Sequence, residues 1–221
     1  MKNRIVLLGP PASGKGTQAA LLAATFGLPA ASTGAMLREE KSRGSAIGTE
    51  AERWTTQGGL VPDELALRIV WQWIDGRTRF IFDGFPRTLG QAQAFDDGLQ
   101  ERGLTLDVVY LLELSDETVL NRICTRLTCP GCGSVFNESF HFVTKGSPCP
   151  SCGVELTRRK DDTREALDRR LSEYRKETLP VTEHYEARGL LRRIDASPAR
   201  AVLFQALYDD LCANNPEEAL S

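Results

Sequence analysis

Nine residues near the N-terminus, Gly9-Pro10-Pro11-Ala12-Ser13-Gly14-Lys15-Gly16-Thr17, carry the spacing G-x-x-x-x-G-K-G-T. Glycines let backbone amides converge on phosphate oxygens, a helix N-terminus adds positive potential, and a lysine brings a point charge. A short β-branched run, residues 4–9, precedes the loop, and a helix-like stretch from Lys15 to Phe26 follows it. That strand–loop–helix context favours a phosphate cradle over the plainer alternative, a glycine-rich turn with a surface lysine. The common form of the motif has Ser or Thr directly after the lysine to hold magnesium. Here Gly16 intervenes and Thr17 comes next.

Phe80-Ile81-Phe82 reads as a buried strand ending in the carboxylate of Asp83. In phosphoryl-transfer sites such an aspartate stands near magnesium and its waters. Alone, it reads as readily as a turn or cap residue. Arg38, Arg87, Arg122, Arg126, Arg159 and Arg170 stand out by position. Each by itself is an ordinary solvated charge. Beside a phosphate cradle they matter more, because the barrier to phosphoryl transfer is lowered mainly by positioning and charge, which forked guanidinium groups supply. Arg122 and Arg126 are four apart, a spacing that places them on one helix face.

Cys129-Pro130-Gly131-Cys132 and Cys149-Pro150-Ser151-Cys152 are two C-x2-C knuckles separated by sixteen residues. The spacing fits a four-thiolate zinc site better than two disulfides or chance small residues. Four sulfurs close a tetrahedron, so His141 is left out of it. Cys124 and Cys212 lack such partners and read as core residues, and His184 as an ordinary helix residue.

These groups need a scaffold. Short apolar runs at residues 4–9, Leu28–Ser32, Phe80–Asp83, Val108–Leu114 and Leu190–Asp195 are near-continuous rather than alternating, as in strands of a buried parallel sheet. Amphipathic stretches lie between them, such as Leu65, Ile69 and Trp73 at four-residue spacing. The alternation predicts an α/β fold, a doubly wound five-stranded parallel sheet. Ser197-Pro198 has the form of a helix start. From Thr128 to Thr157 the chain turns rich in Gly, Pro, Ser and Cys, loses helical periodicity, and reads as a small insertion. The residues after Cys212 read as a fraying end.

Composition limits the function classes. The 221 residues are 41% apolar and 26% charged with a formal net charge of −3, which excludes disorder as a description of the chain. A pI near 5.6 argues against a general nucleic-acid binder. The apolar run after Met1-Lys2-Asn3-Arg4 is too short for a signal peptide, and no stretch approaches the ~18 apolar residues of a membrane span. With six cysteines, a reducing compartment, the cytoplasm, is the expectation.

In order and spacing, Gly9–Thr17 with Gln18, Ser32-Thr33-Gly34, Met36-Leu37-Arg38, Gly59-Leu60-Val61 with Asp63-Glu64-Leu65, Asp83–Thr88 with Gln91, and Arg159-Lys160-Asp161-Asp162 resemble the adenylate kinases of the zinc-lid bacterial type. The resemblance covers nearly all of the chain. It implies a P-loop NTPase-like core over residues 1–124 and 163–221, with a monophosphate-binding segment at 32–61 and a zinc-binding lid at 125–162. It also implies transfer of the γ-phosphoryl of ATP to AMP, giving two ADP, with magnesium as cofactor and structural zinc on Cys129, Cys132, Cys149 and Cys152. The implied ATP residues are Ala12, Ser13, Gly14, Lys15, Gly16 and Thr17, with Arg122, Arg126, Val135, Phe136 and Pro198. Thr33, Arg38, Gly59, Leu60, Val61, Gly84, Phe85, Pro86, Arg87 and Gln91 would meet AMP, and Arg159 and Arg170 would bridge the two phosphate chains. Lys15, Asp83, Arg87, Arg126, Arg159 and Arg170 would carry catalysis, in a monomer that binds neither nucleic acid nor membrane. No general base is required, since a phosphate monoester with its second pKa near ~6 is already ionised.

Gln91 has a competing role, because Thr88-Leu89-Gly90-Gln91 is a capping box in which the glutamine reaches back to the helix start. The chain departs from the family pattern twice, with Ala35 in place of the usual Asp and Ala12 in place of the usual Gly. The first bears on magnesium. The second is harmless if residue 12 has an angle that alanine tolerates. A sister kinase for UMP, CMP or GMP remains as an alternative, as does a zinc-ribbon nucleic-acid module on a nucleotide switch. The few basic residues of segment 128–157, Lys145 among them, give the latter no electrostatic footprint.

Overall fold

A computed structural model describes residues 2–55, 60–159 and 162–213. The five apolar runs form strands β1 (Arg4–Leu8), β2 (Ala30–Ser32), β3 (Phe80–Asp83), β4 (Val108–Glu113) and, last in the chain, β7 (Leu191–Asp195). All are parallel, in the order β2-β3-β1-β4-β7. The chain runs from β1 out to β2, returns through β3 and then passes β1 to reach β4, so the strand order reverses beside β1 and opens a crevice at the carboxyl ends of the central strands.

Alternate residues of a strand face opposite sides, and both faces are covered here. Val6, Leu8, Phe80, Phe82, Val109 and Leu111 pack under helices α4 (Asp63–Ile74), α5 (Leu89–Gln100) and α9 (Leu179–Ala187). Ile5, Leu7, Ile81, Tyr110 and Leu112 pack under α1 (Lys15–Phe26) and α10 (Arg200–Cys212). The expected stripe on α4 is present, with Leu65 and Ile69 buried and Trp73 packed against the same core. Helices α2 (Thr33–Ser42) and α3 (Ala46–Thr55) follow β2 and cross one another closely. None of the described helices is long and apolar enough to cross a membrane.

Several local expectations need correction. β7 is an edge strand with Arg192 and Arg193 exposed, so its apolar run is less buried than its composition implies. α10 starts at Arg200 with Ala199 as its cap, because the Ser197 amide and hydroxyl are both taken by the Asp195 carboxylate, at 2.9 and 2.8 Å. Arg122 and Arg126 do not share a helix, since α6 (Asp116–Cys124) ends before Arg126. Cys124 is exposed and Cys212 half-buried, and neither belongs to a core cluster. His184 does more than solvate a helix, because its Nε2 lies 2.7 Å from Asp96 Oδ2, tying α9 to α5.

The insertion holds the antiparallel pair β5 (Arg126–Thr128) and β6 (Val135–Asn137), the short helix α7 (Glu138–His141) and the cysteine knuckles. It has a small core of its own, in which Leu127, Val143 and Leu156 pack with Cys129 and Cys149. The chain returns through α8 (Arg164–Glu173), capped by the Thr163 hydroxyl on the Ala166 amide, and a π-helical turn at Tyr174–Thr178 leads into α9.

Gly48 sits where α3 crosses α2, and a Cβ there would overlap the Glu40 carbonyl and the Lys41 amide. Backbone cannot step aside as a flexible side chain would. Gly48→Ala therefore lowers stability by about 1–3 kcal/mol through overpacking, outweighing the gain in helix propensity of about 1 kcal/mol. A urea midpoint shifted downward checks this.

Candidate active site

The loop between β1 and α1 is built from conformations that most side chains avoid. Gly9 has φ +145°, where a Cβ would meet the Leu112 carbonyl oxygen at 2.5 Å, and Gly14 caps α1 at φ +93°. Ala12 also lies in the left-handed region, at φ 57°. The condition under which alanine would be harmless at this position is therefore not met, since a Cβ in this region costs roughly 1–2 kcal/mol. Lys15 folds back on the loop, its Nζ donating to Gly9 O at 2.9 Å, Pro10 O at 2.8 Å and Ser13 Oγ at 3.3 Å.

Other charges converge on this ammonium. Asp83 ends β3 with its Oδ2 against the first turn of α1, 3.0 Å from where a Gly16 Cβ would stand. Arg87 follows the turn after β3, where Gly84 at φ +70° leaves room for it: a Cβ on Gly84 would lie 3.4 Å from Arg87 Nη2 and 3.8 Å from Lys15 Cε. Arg87 Nε donates to Gly84 O at 2.8 Å. From α2, Arg38 Nη1 and Arg87 Nη2 flank Gly34, 3.3 and 3.9 Å from its would-be Cβ. Thr33 Oγ1 donates to Gly84 O at 3.3 Å, which ties the start of α2 to the same turn.

Burial pulls the Lys15 ammonium down to about 8; Asp83 opposes the fall, and Arg87, Arg170 and Arg126 add to it. Burial likewise lowers Arg87, against Asp83 and together with Arg170 and Arg38. Five cations thus act on one another across a single site. Two carboxylates face them, Asp83 and Asp162. The Asp162 carboxylate accepts from Arg126 Nε at 2.9 Å and from its Nη2, and lies 3.8 Å from Arg170 Nη1. Positive charge remains in excess, which suits a polyphosphate anion.

The remaining expected residues fall in different places. Arg122 spends its guanidinium on backbone carbonyls, at 2.8 Å from Ala196, 3.2 Å from Ser197 and 3.4 Å from Ala12. It thereby ties the β1–α1 loop to the segment that carries Pro198. Arg159 Nε donates to Thr128 Oγ1 at 3.1 Å, on the insertion. Val135 and Phe136 lie on β6, the first exposed and the second against the insertion's own core. Phe85 and Val61 are buried in the main core. Gly59 lies outside the described residues.

Gln91 does not close the expected capping box. Its backbone amide donates to Thr88 Oγ1 at 3.1 Å, but its side-chain oxygen accepts from the Arg87 amide at 2.8 Å, one residue before the cap. Asp162 was legible only as part of a motif; nothing local shows that it gathers two arginines. Thr178, whose hydroxyl donates to Arg87 O at 2.9 Å from the π-helical turn, gives no signal in the sequence.

The four knuckle sulfurs lie within 4.8 Å of one another, with Cys129–Cys152 at 3.3 Å and Cys132–Cys149 at 3.7 Å. Tetrahedral zinc at Zn–S distances of about 2.3 Å needs edges of about 3.8 Å. Backbone amides of Cys132 and Ser151 point at Cys129 Sγ and Cys149 Sγ, at 3.5 and 3.4 Å, as they would toward thiolates. The cluster fits a metal such as zinc.

Residues 7–190 match the profile of the adenylate kinase family. The chain is 39% identical to an adenylate kinase of Syntrophomonas wolfei over 94% of its own length and 98% of that protein's. It is 40% identical to an adenylate kinase of Salinispora tropica over 92% and 96%, and 38% identical to one of Clostridium beijerinckii over 96% and 99%.

Burial and neighbouring cations hold Lys15 near 8 in the free protein, and an anion placed against its ammonium offsets both and raises that pKa back toward the ordinary value of 10.5. Binding ATP at about pH 9 therefore takes up close to one proton, and binding at about pH 6.5 takes up almost none at this group. Calorimetry in buffers of different ionisation enthalpy measures the uptake. Lys15→Arg, charged at both pH values, abolishes it.

Proposed function

The chain belongs to the adenylate kinase family, and we propose that the charge cluster around Lys15 is where its phosphoryl transfer takes place. The reaction moves the γ-phosphoryl of ATP to AMP and yields two ADP. The loop from Ala12 to Thr17 holds the ATP phosphates through backbone amides and Lys15. Arg122 anchors that loop from behind, beside Pro198, while Val135 and Phe136 belong to the lid that covers the nucleotide. AMP enters from the side of α2, with its phosphate on Arg38, Arg87 and Thr33 and its base toward Gly59–Val61 and Gln91. Gly84, Phe85 and Pro86 form the turn that brings Arg87 to it.

The observation that carries this reading is the convergence of Lys15, Arg38, Arg87, Arg126 and Arg170 on one carboxylate-ended strand. An attacking AMP oxygen needs no base, because the monoester is already ionised near neutral pH. What it needs is alignment with the γ-phosphorus and relief of charge repulsion. Arg126 and Arg170, held side by side by Asp162, supply the relief, and Arg159 joins them from the lid. Asp83 and Thr17 would hold magnesium and its waters, and the ion would supply charge neutralisation on the ATP phosphates. Ala35, an exposed methyl group, adds nothing there. The four cysteines hold zinc as a structural ion, because four thiolates leave no position for water or substrate. The boundaries 125–162 follow the lid as a unit, and a cytoplasmic monomer fits a chain whose six cysteines form no disulfide.

Arg87→Ala and Arg126→Ala each reduce kcat by about 10²–10³-fold, with melting temperatures near that of the parent, in a coupled assay of ADP formation. Near-normal turnover of Arg87→Ala would overturn the monophosphate assignment.

Zinc removal acts on stability. Cys149→Ser lowers the melting temperature and the zinc content measured by elemental analysis, yet phosphoryl transfer persists at low temperature. Activity titrates with magnesium alone. Loss of all activity on chelation, with the lid still folded by circular dichroism, would make the zinc catalytic instead.

A further inference from the structure

A carboxylate outside the cationic cluster decides which way one amide of the site points. Asp63 opens α4; its Oδ1 accepts from Gln91 Nε2 at 2.7 Å and its Oδ2 from the Thr88 hydroxyl at 2.8 Å. Gln91 Oε1 accepts the Arg87 backbone N–H at 2.8 Å. An ionised carboxylate can only accept and a backbone N–H can only donate. Turning the Gln91 amide over would set NH2 against N–H at one end and oxygen against oxygen at the other. Both bonds would be lost, and Gln91, 2% exposed, has little water to replace them. The Thr88 hydroxyl gives its one proton to Asp63 and receives the Gln91 amide at 3.1 Å, so the cap of α5 is oriented by the same carboxylate. Room for the approach comes from Gly90, where a Cβ would stand 3.0 Å from Asp63 Oδ2.

We propose that Asp63 is a specificity-determining positioning residue for the monophosphate: by fixing the amide of Gln91 it selects adenine over guanine. This rests on the reading that Gln91 meets the base of AMP. With Asp63 and Arg87 satisfied, Gln91 keeps one lone pair on Oε1 and one N–H on Nε2 for a ligand. Adenine offers an amino donor beside a ring-nitrogen acceptor. Guanine offers the reverse, a carbonyl acceptor beside an N–H donor. A base whose phosphate is held by Arg38 and Arg87 cannot turn over to match a fixed amide. A mobile amide could turn to match either base. Asp63 touches neither the base nor the reacting atoms, and acts through Gln91.

Asp63→Asn keeps the size of the side chain but lets both amides flip. The expected result is a fall of about tenfold or more in the AMP:GMP ratio of kcat/KM, with KM for AMP raised and KM for ATP changed by less than about twofold. The double variant Asp63→Asn/Gln91→Glu restores both contacts, since the carboxylate introduced at position 91 accepts from the amide introduced at position 63 and from the Arg87 N–H. Its melting temperature recovers, while its selectivity shifts further toward GMP, whose ring N–H can donate to the carboxylate. An unchanged AMP:GMP ratio in Asp63→Asn, with KM for AMP raised by Gln91→Ala, overturns the proposal and leaves the base contact standing. An unchanged KM for AMP in Gln91→Ala overturns the base contact itself, and the proposal with it.

Discussion

Mutual repulsion among cations is the constraint around which this molecule is arranged. Lys15, Arg38, Arg87, Arg126 and Arg170 come from five separate stretches of chain; burial depresses Lys15 and Arg87, and the neighbouring cations depress them further. Left to themselves, long charged side chains would spread into solvent. Here Lys15, Arg87, Arg126 and Arg170 are restrained. Lys15 is bonded to its own loop, Arg87 is bonded through both backbone and side chain, and Arg126 and Arg170 share Asp162. The free protein therefore stores an unfavourable arrangement that an anionic ligand relieves, the kind of preorganisation on which electrostatic catalysis depends.

The sheet makes the restraint possible. Its five parallel strands are covered on both faces by helices, and aromatic contacts among Phe80, Phe82, Phe85 and Phe95, with centroids 5.1–6.1 Å apart, fix the turn after β3 to the core. Arg87 stands two residues beyond Phe85, so a rigid hydrophobic anchor and a charge of the cationic cluster share one short segment. Asp83 and Gly84 lie in the same stretch, and Thr178 holds its far end from α9's side of the molecule.

How much of this was legible in the sequence depended on distance along the chain. The strand–loop–helix unit around Lys15 could be read because strand, glycines, lysine and helix are contiguous, and α1 spans Lys15–Phe26 as its pattern predicts. The knuckles could be read because the spacing within each pair is itself the signal. Gln91 was half legible: the cap on its backbone amide is local, whereas its side chain answers to Asp63, 28 residues away. Asp162 and Thr178 gain their partners only by tertiary packing, and no periodicity marks them. Ser197 misled for a local reason, since Asp195 competes for the groups a helix cap would use. The angle of Ala12 could not be read, because residue type is a poor guide to φ where the loop around it dictates the backbone.

Arg126 opens the inserted segment and Asp162 closes it, and the two meet in an ion pair. The intervening lobe thus leaves and rejoins the core at nearly one point, and its own core shares no residue with the two that cover the sheet. Closing a chain between fixed neighbouring ends grows costlier only slowly with length, by about 0.6 kcal/mol for each doubling. Such a lobe is a cassette. It can be shortened, lengthened or rebuilt without its four cysteines while the guanidinium groups at its mouth keep their station, so that how the lobe is held together can drift in evolution independently of the sheet it leaves and rejoins.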